Sequence, residues 1–341
     1  MTLRPSEDTP ERCRETAICR LGSVCRSVLS FLVFVILVSG CGWDSSPPVH
    51  DRLGAETDHQ AGGDMSPRRI VSMAPSITET VFALGCGDRL VGVTDFCSFP
   101  PEAKAIPKIG GYLNPNWEAI LRLQPDLVIV PAGQQDFSEK LARFRLKSVT
   151  VDHRSVDGVF DSLEILGRVF GVEDRAKALA SEWRQRLAHL EERWKGKPRP
   201  RVLFVIERSI EPGRLRNICA AGPDGFLDRI ISIAGGENVL HDAPVPFPML
   251  SAEGVLKLNP EVIIDSIGGI AAQKIDRATI LSGWQQVKNV AAVRNGRICL
   301  LEEDVPLVPG PRMIELAERL AQCFHPESAA PRPAEESPDQ P

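Results

Sequence analysis

Between residues 69 and 151, short apolar runs alternate with segments whose apolar positions recur at helical spacing. Four of the runs have the length of buried strands, and they are residues 69–73, 90–93, 127–130 and 148–151. Ser76 and Glu79 have the spacing of a capping box and predict where the first helix begins. The alternation as a whole predicts a parallel sheet with helices on both faces.

The pattern changes at residue 159, and apolar positions then keep helical spacing as far as residue 195, with a break at Gly171. The stretch 175–194 predicts a helix of roughly 30 Å, which a glycine and two prolines at 196–200 end. Strand–helix alternation then resumes and continues to residue 323.

The two alternating regions repeat each other. Residues 118–129 match residues 253–264 at an offset of 135, and every pair is identical or chemically similar. A weaker match joins 83–91 to 232–240 at an offset of 149, so the first region has extra residues, which we expect in the loop 94–108. Twelve aligned positions in a row favour a true repeat over two unrelated helix–Pro–strand units.

These patterns predict an α/β fold of two similar three-layer lobes with parallel sheets, joined by one long connecting α-helix. A cleft between two lobes is a common place for a small-molecule site. A single helix hinges less readily than loose strands, so we expect little lobe movement. The predicted segments are a signal peptide (1–40), a flexible tether (41–67), an N-terminal lobe (68–153), a connecting helix segment (154–198), a C-terminal lobe (199–324) and a disordered tail (325–341).

The N-terminus has the features of an export signal. Arginines precede an apolar run at 28–38, which is short for a membrane span and ends in Ser39, Gly40 and Cys41. These last residues resemble a bacterial lipobox and predict cleavage before Cys41 with lipidation of its thiol and new amine. The mature chain would then be anchored to the extracytoplasmic, periplasmic face of a membrane. A plain signal peptide and an uncleaved anchor are the alternatives.

Composition narrows the class of protein and the kinds of partner further. With 43% hydrophobic residues and a net charge of −5, the chain has enough apolar residues for a core and no basic patch, so we expect no nucleic-acid partner. Five cysteines follow Cys41, an odd number for an oxidising compartment. Cys86 and Cys97 lie in neighbouring loops and are the candidate disulfide, although both thiols being free is an equal alternative. The six histidines are scattered, so no metal site is predicted.

Several motifs carry a family resemblance. They are Ser-x-Ala-Pro-Ser-Ile-Thr-Glu at 72–79, Leu-Gly-Cys-Gly-Asp-Arg-Leu-Val-Gly-Val-Thr-Asp at 84–95, Gly-Gly-Tyr-Leu-Asn-Pro-Asn-Trp-Glu at 110–118, Val-Pro-Phe-Pro at 245–248 and Pro-Gly-Pro-Arg at 309–312. From about residue 68 to 323 the chain resembles the helical-backbone substrate-binding proteins of ABC importers, in the cobalamin and ferric-siderophore branch. The resemblance implies a monomer without cofactor or enzymatic activity that delivers a small molecule to a permease dimer with its ATPase subunits.

Two glutamates, one in each lobe, are expected to contact that permease. By the resemblance, Glu118 and Glu253 match the acids that dock on arginines of the permease subunits. Each also follows a predicted helix cap, Asn116 or Ser251, where a favourable interaction with the helix dipole is the simpler explanation. The dipole does not explain why symmetry-related acids occur in both lobes, and a partner of two like subunits does.

The candidate ligand residues are aromatic and charged. Tyr112, Phe96, Phe99 and Phe247 would offer ring faces to a flat macrocycle such as a corrin or porphyrin, with loop or core packing as the alternative. Glu207 and Arg208 end a predicted strand, where cleft residues tend to lie. Arg312 begins a helix after Pro311 and is expected to meet an anionic group, on the ligand or on Asp304.

Other functions fit less well. A zinc or manganese site would need converging histidines and carboxylates, and the sequence has no GxSxG, HExxH or phosphate-loop motif typical of an enzyme. The alternative that the chain is a surface receptor without a transport partner stays open. The ligand also stays open between corrinoid, ferric siderophore and haem, because the cobalamin binders have tryptophans at the positions of Tyr112 and Phe247 and because the segment 206–223 is longer and more basic here. The paired aromatics favour the corrinoid.

Overall fold

The structure is a computed structural model that describes residues 66–266, 275–301 and 308–326, all within one compact unit, Gln60–Pro341. The predicted signal peptide, Cys41, Asp304, and nearly all of the predicted tether and tail lie outside the described residues.

The first lobe is built on a four-stranded parallel sheet, as its strand–helix alternation predicts. The strand order is β2-β1-β3-β4. Its apolar interior includes Val71, Ile120, Val128 and Leu141, each fully buried. The elements are β1 (Ile70–Ser72), α1 (Pro75–Ala83), β2 (Leu90–Val93), α2 (Trp117–Arg122), β3 (Leu127–Pro131), α3 (Gln135–Arg143) and β4 (Ser148–Val151), with two 3-10 turns at Gly87–Arg89 and Pro101–Ala105.

The predicted capping box at the start of α1 is wrong. Ala74 is the N-cap residue, it makes no side-chain cap, and Pro75 opens the helix. Proline suits the first helical position because its φ is already helical and it has no N–H to leave unsatisfied. Ser76 and Glu79 therefore lie inside the helix, where both are buried.

The connection between the lobes consists of two helices, α4 (Val156–Phe170) and α5 (Glu173–Arg193). Ser155 caps α4 through Gly158 N, and Gly171 ends it at φ 70°, a left-handed conformation that favours glycine. The break predicted at Gly171 is therefore a chain reversal between two packed helices. The longer one, α5, is the long helix that the sequence predicts, with 21 residues or roughly 31 Å.

The second lobe also has an α/β fold, but its sheet is mixed and not parallel as predicted. The order is β10-β9-β5-β6-β8, with β7 also pairing with β5, and β6 runs antiparallel to both neighbours. Pro212 and Gly213 form the tight turn that folds β6 back on β5. The elements are β5 (Arg201–Glu211), β6 (Arg214–Ala220), α6 (Leu227–Ile233), β7 (Glu237–Asn238), β8 (Met249–Leu250), α7 (Ala252–Leu258), β9 (Val262–Ser266), α8 (Arg277–Ser282), α9 (Ala291–Arg294), β10 (Ile298–Leu301) and α10 (Met313–Phe324), with a 3-10 turn at Gly283–Val287.

The sequence repeat is a structural repeat. The units α2–β3 and α7–β9 each begin with a side-chain cap. Buried and exposed positions follow one another in the same order over residues 116–125 and 251–260. Each helix ends at a left-handed non-glycine residue, Gln124 at φ 46° or Asn259 at φ 43°, followed by proline and a buried strand. The two lobes therefore expose the same positions of equivalent helices, α2 and α7.

Candidate functional site

The loops after β2 and β3 lie at one edge of the first-lobe sheet. They contain two aromatic residues, Phe96 and Tyr112, and the amide residue Gln134. Phe96 is 44% exposed, and its ring lies against Gly111, beside Tyr112. The Tyr112 hydroxyl is hydrogen-bonded to Gln134, which follows β3, and burial raises the pKa of this phenol. Because the carboxyl ends of parallel strands share an edge, this is where a ligand is expected. Phe96 and Tyr112 are therefore aromatic residues close together in the loop that follows β2.

Backbone contacts hold this loop region in place. Val93 bridges to Lys108, and Gly110 bridges to Pro115. Gly110 has φ 88°, and a side chain there would approach the backbone nitrogen of Asn116 at 2.9 Å, so only glycine fits. The position of Tyr112 is therefore set by the backbone on both sides.

Arg312, a predicted ligand residue of the second lobe, contacts the first lobe. Its Nε and Nη2 donate to the Glu79 carboxylate at 2.9 and 2.5 Å, and its guanidinium lies 4.4 Å from the ring centroid of Phe99. The Glu79 side chain is only 3% exposed. Burial raises the pKa of Glu79, and the ion pair with Arg312 opposes that rise.

The anionic group predicted for Arg312 therefore includes a glutamate of α1 that the sequence interpretation had assigned to a helix cap. No short-range pattern could have revealed this contact, since the two residues are 233 positions apart. Phe99 is 43% exposed and lies at the same junction of the lobes.

Arg208 is placed where it cannot reach a ligand, so its predicted role is wrong. Its side chain is 1% exposed and donates to both carboxylate oxygens of Asp265 at 2.8–3.1 Å. Asp265 also accepts from Trp284 Nε1 at 2.8 Å. The pairing between β5 and β6 is irregular on both sides of Glu207, at the position of Arg208. The arginine is a structural residue of the second lobe.

Glu207, the neighbouring candidate, is half-buried and pairs with Cys219 across the β5–β6 hairpin. Burial raises the pKa of Glu207, and burial together with this carboxylate raises the pKa of Cys219 to about 12. A partly desolvated carboxylate favours hydrogen-bond donors and repels anions.

Phe247 is half-buried between two prolines. The carbonyls of Pro246 and Pro248 accept from Gly222 N at 2.8 Å and from Ala220 N at 3.1 Å, which fixes this segment against the end of β6. The structure thus gives the aromatic ring a rigid support. Its contact with a ligand stays a prediction.

The predicted disulfide between Cys86 and Cys97 is wrong, because both thiols are free and buried. Cys97 Sγ lies 3.2 Å from Thr78 Oγ1 and 3.1 Å from Thr94 Oγ1, beside the first turns of α1. Cys86 follows the opposite end of that helix, too far away to bond. The disulfide in the structure joins Cys299 of β10 to Cys323 of α10.

The two predicted docking glutamates occupy equivalent positions. Glu118 and Glu253 lie in the first turns of α2 and α7, after side-chain caps from Asn116 and Ser251. Glu118 pairs with Arg122 at 2.6 Å and Glu253 with Lys257 at 3.1 Å. Both carboxylates are highly exposed, at 83% and 75%, and are therefore available to a partner.

Within residues 66–266, 275–301 and 308–326, no group of three or more histidine, cysteine or acidic side chains is arranged to hold a metal ion. In the same ranges no helix has the length and hydropathy needed to cross a membrane. His153 is buried with neither ring nitrogen hydrogen-bonded, and burial lowers its pKa to about 4, so this histidine is neutral.

Comparison with known proteins places the chain in a family. Residues 70–305 match the family described as periplasmic binding protein. The chain is 28% identical to the uncharacterized ABC transporter substrate-binding lipoprotein YvrC of Bacillus subtilis over 316 residues, which cover 88% of this chain and 96% of YvrC.

Solved structures agree with this assignment. The periplasmic vitamin B12 binding protein BtuF of Vibrio cholerae matches with a TM-score of 0.65 and 26% identity, over 77% of this chain and 99% of BtuF. A periplasmic haem binding protein from Pseudomonas aeruginosa matches with a TM-score of 0.66 and 28% identity, over 78% of this chain and 95% of that protein. The chain described here belongs to the periplasmic binding protein family.

Proposed function

We propose that this chain is a lipid-anchored, extracytoplasmic substrate-binding protein that captures a corrinoid between its lobes and delivers it to an ABC importer. The exposed ring of Phe96, next to Gly111 and Tyr112 in the loop at the carboxyl edge of the first sheet, carries the proposal. A flat macrocycle buries large apolar area against such rings, while the hydroxyl of Tyr112 can meet polar substituents.

The charged residues favour a corrinoid over an anionic iron chelate. Arg208 and Arg312, the two arginines predicted to contact the ligand, are each paired with a carboxylate of this chain. The half-buried Glu207 would repel anionic groups and accept hydrogen bonds from the amide side chains of a corrinoid.

Haem is the second candidate ligand. A haem-binding protein is as similar to this chain as the vitamin B12 binding protein is. Arg214 and Arg216 are exposed on β6 and would suit the propionates of haem.

Calorimetric titration of residues 42–341 with cyanocobalamin, haemin and a hydroxamate ferric siderophore tests the ligand. We expect submicromolar binding of cyanocobalamin alone, weakened about tenfold by Phe96→Ala or Tyr112→Ala. Phe144→Ala is the matched control, because Phe144 is a 37% exposed phenylalanine that packs on Trp117 and is not a predicted ligand residue. Binding of haemin alone would contradict the corrinoid and support haem as the ligand.

Delivery rests on Glu118 and Glu253, whose equivalent exposed positions suit a partner of two like subunits. Reversing both charges, with Glu118→Arg and Glu253→Arg, should abolish uptake in cells and leave ligand affinity unchanged. Normal uptake by this variant would contradict docking through the glutamates.

Anchorage rests on Cys41, which follows the apolar run of the signal. The relative YvrC is itself named a lipoprotein. Labelled palmitate should be incorporated into the parent chain and not into Cys41→Ser, and the variant should leave the membrane fraction. Equal labelling of the two would contradict lipidation at Cys41.

A further inference from the structure

The equivalent helices α2 and α7 expose a leucine as well as a glutamate. Leu121 is 39% exposed and Leu256 is 42% exposed, and the two are related by the same 135-residue offset as Glu118 and Glu253. We call the glutamate, leucine and basic residue of each helix an edge triplet. The triplets are Glu118, Leu121 and Arg122 in the first lobe and Glu253, Leu256 and Lys257 in the second.

Each triplet lies on one helix face, since residues three and four positions apart are neighbours on a helix surface. The basic side chain reaches back to the glutamate in both lobes. The leucine, three positions after the glutamate, lies next to this ion pair and remains open to solvent.

A single exposed leucine needs no explanation. Here the repeat has changed at neighbouring positions, from Asn116 to Ser251 and from Trp117 to Ala252, but has kept leucine at a position where neither lobe buries it. Packing within this chain does not account for that identity. A partner that presents the same apolar surface twice does account for it.

We propose that Leu121 and Leu256 are paired apolar contacts with the two permease subunits, each inserting beside the site that receives the neighbouring glutamate. This inference rests on the proposed function of the chain. Attraction between exposed charges weakens with salt, whereas apolar burial does not depend on charge. The glutamates set the register of docking, and the leucines supply affinity that persists at high ionic strength.

The test measures binding of the parent chain and its variants to the permease–ATPase complex of the same genome, reconstituted in nanodiscs, at about 0.1 and 0.5 M salt. Leu121→Ser and Leu256→Ser should each weaken binding about fivefold, and together roughly 25-fold, at both salt concentrations. Leu121→Met and Leu256→Met keep the apolar area and should bind like the parent. Glu118→Gln with Glu253→Gln should weaken binding strongly at low salt and less at high salt.

The outcomes separate this inference from the proposed function. If the glutamine variant loses affinity and the serine variants bind like the parent, the leucines are not contacts, and docking through the glutamates stands. If no variant changes affinity, or the parent does not bind the complex, docking itself is contradicted. An unchanged melting temperature and unchanged ligand titration in the serine variants exclude a folding defect as the cause.

Discussion

Arg208 and Asp265 place a full ion pair inside the second lobe, and every part of it is hydrogen-bonded. Arg208 Nη2 also donates to the carbonyl of Ile280 at 2.8 Å, and Asp265 accepts from the indole of Trp284. Such a pair adds little net stability compared with an apolar core, but losing one partner leaves a desolvated charge. The pair therefore constrains which substitutions the lobe tolerates.

Arg208→Met should lower the free energy of unfolding by about 3–5 kcal/mol, because it leaves Asp265 buried without its cation. Urea unfolding followed by tryptophan fluorescence measures the change. Arg122→Met is the matched control, since it breaks an exposed pair and should have no measurable effect. Equal stabilities of the two variants would contradict the buried network.

His153 predicts a dependence of stability on pH. Its pKa is about 4 in the folded protein, against an ordinary value of 6.5, so between these values the unfolded chain binds a proton that the folded protein does not. Stability is therefore lost as the pH falls through this window, by about 2 kcal/mol at pH 5 relative to pH 7. His153→Leu should remove this loss.

The measurement is the difference in unfolding free energy between the parent and His153→Leu at each pH from 5 to 8. The difference isolates the histidine, because Asp224, whose pKa burial raises to about 6, acts in the opposite sense in the same range. A difference that does not vary with pH would show that His153 is not held neutral by burial.

At the scale of elements, the Cys299–Cys323 disulfide ties an edge strand to the last helix. It closes a separation of 24 residues between β10 and α10. A crosslink of that length reduces the conformational freedom of the unfolded chain. The C-terminal helix is thereby fixed to the sheet of the second lobe, and its own N-terminus holds Arg312.

Cys299→Ala with Cys323→Ala should lower the free energy of unfolding by about 3 kcal/mol. Reductant should destabilise the parent by a similar amount and leave the double variant unchanged. Residues 42–341 contain five cysteines, of which Cys86, Cys97 and Cys219 are free, so three thiols should react in denaturant before reduction. One reactive thiol would indicate a second disulfide.

The helices and strands were predicted best where their signals are local. Asn116 and Ser251 cap the predicted helices, and Gly171 ends the predicted segment, because a cap depends on neighbours within about one turn. The β5–β6 hairpin was missed, although Pro212 and Gly213 are a recognisable turn signal. The missed β6 strand is also the reason that the second sheet is mixed.

At the scale of the whole molecule, the Arg312–Glu79 pair joins the two lobes directly. Arg312 precedes α10 of the second lobe, and Glu79 lies inside α1 of the first. Both side chains are largely buried, at 15% and 3% exposure. This contact joins the two lobes next to Phe99. Little lobe movement on binding stays a prediction.

Arg312→Ala should lower the free energy of unfolding by about 3–5 kcal/mol, because Glu79 would remain buried without its cation. Adding Glu79→Gln should recover part of that loss, since it removes the unpaired charge. A double-mutant cycle by urea unfolding measures the coupling. Additive effects of the two substitutions would mean that the ion pair does not link the lobes energetically.

The sequence by itself determined the α/β class, the helical character of the connecting segment, the internal repeat and the positions of Glu118 and Glu253. It predicted one long connecting helix, where the structure has two. These features follow from periodicity and from interactions between residues close together in the chain. For such residues the spacing in the sequence fixes which side chains can meet. The repeat added long-range information, because two copies of one unit are expected to fold alike.

Only the tertiary structure decided which side chains meet. Arg208 pairs with a residue 57 positions away and Arg312 with one 233 positions away. Cys299, not Cys86 or Cys97, forms the disulfide. Charge, hydroxyl and thiol groups have many compatible partners in a sequence, and packing selects among them by bringing one pair within about 3 Å and removing water from it.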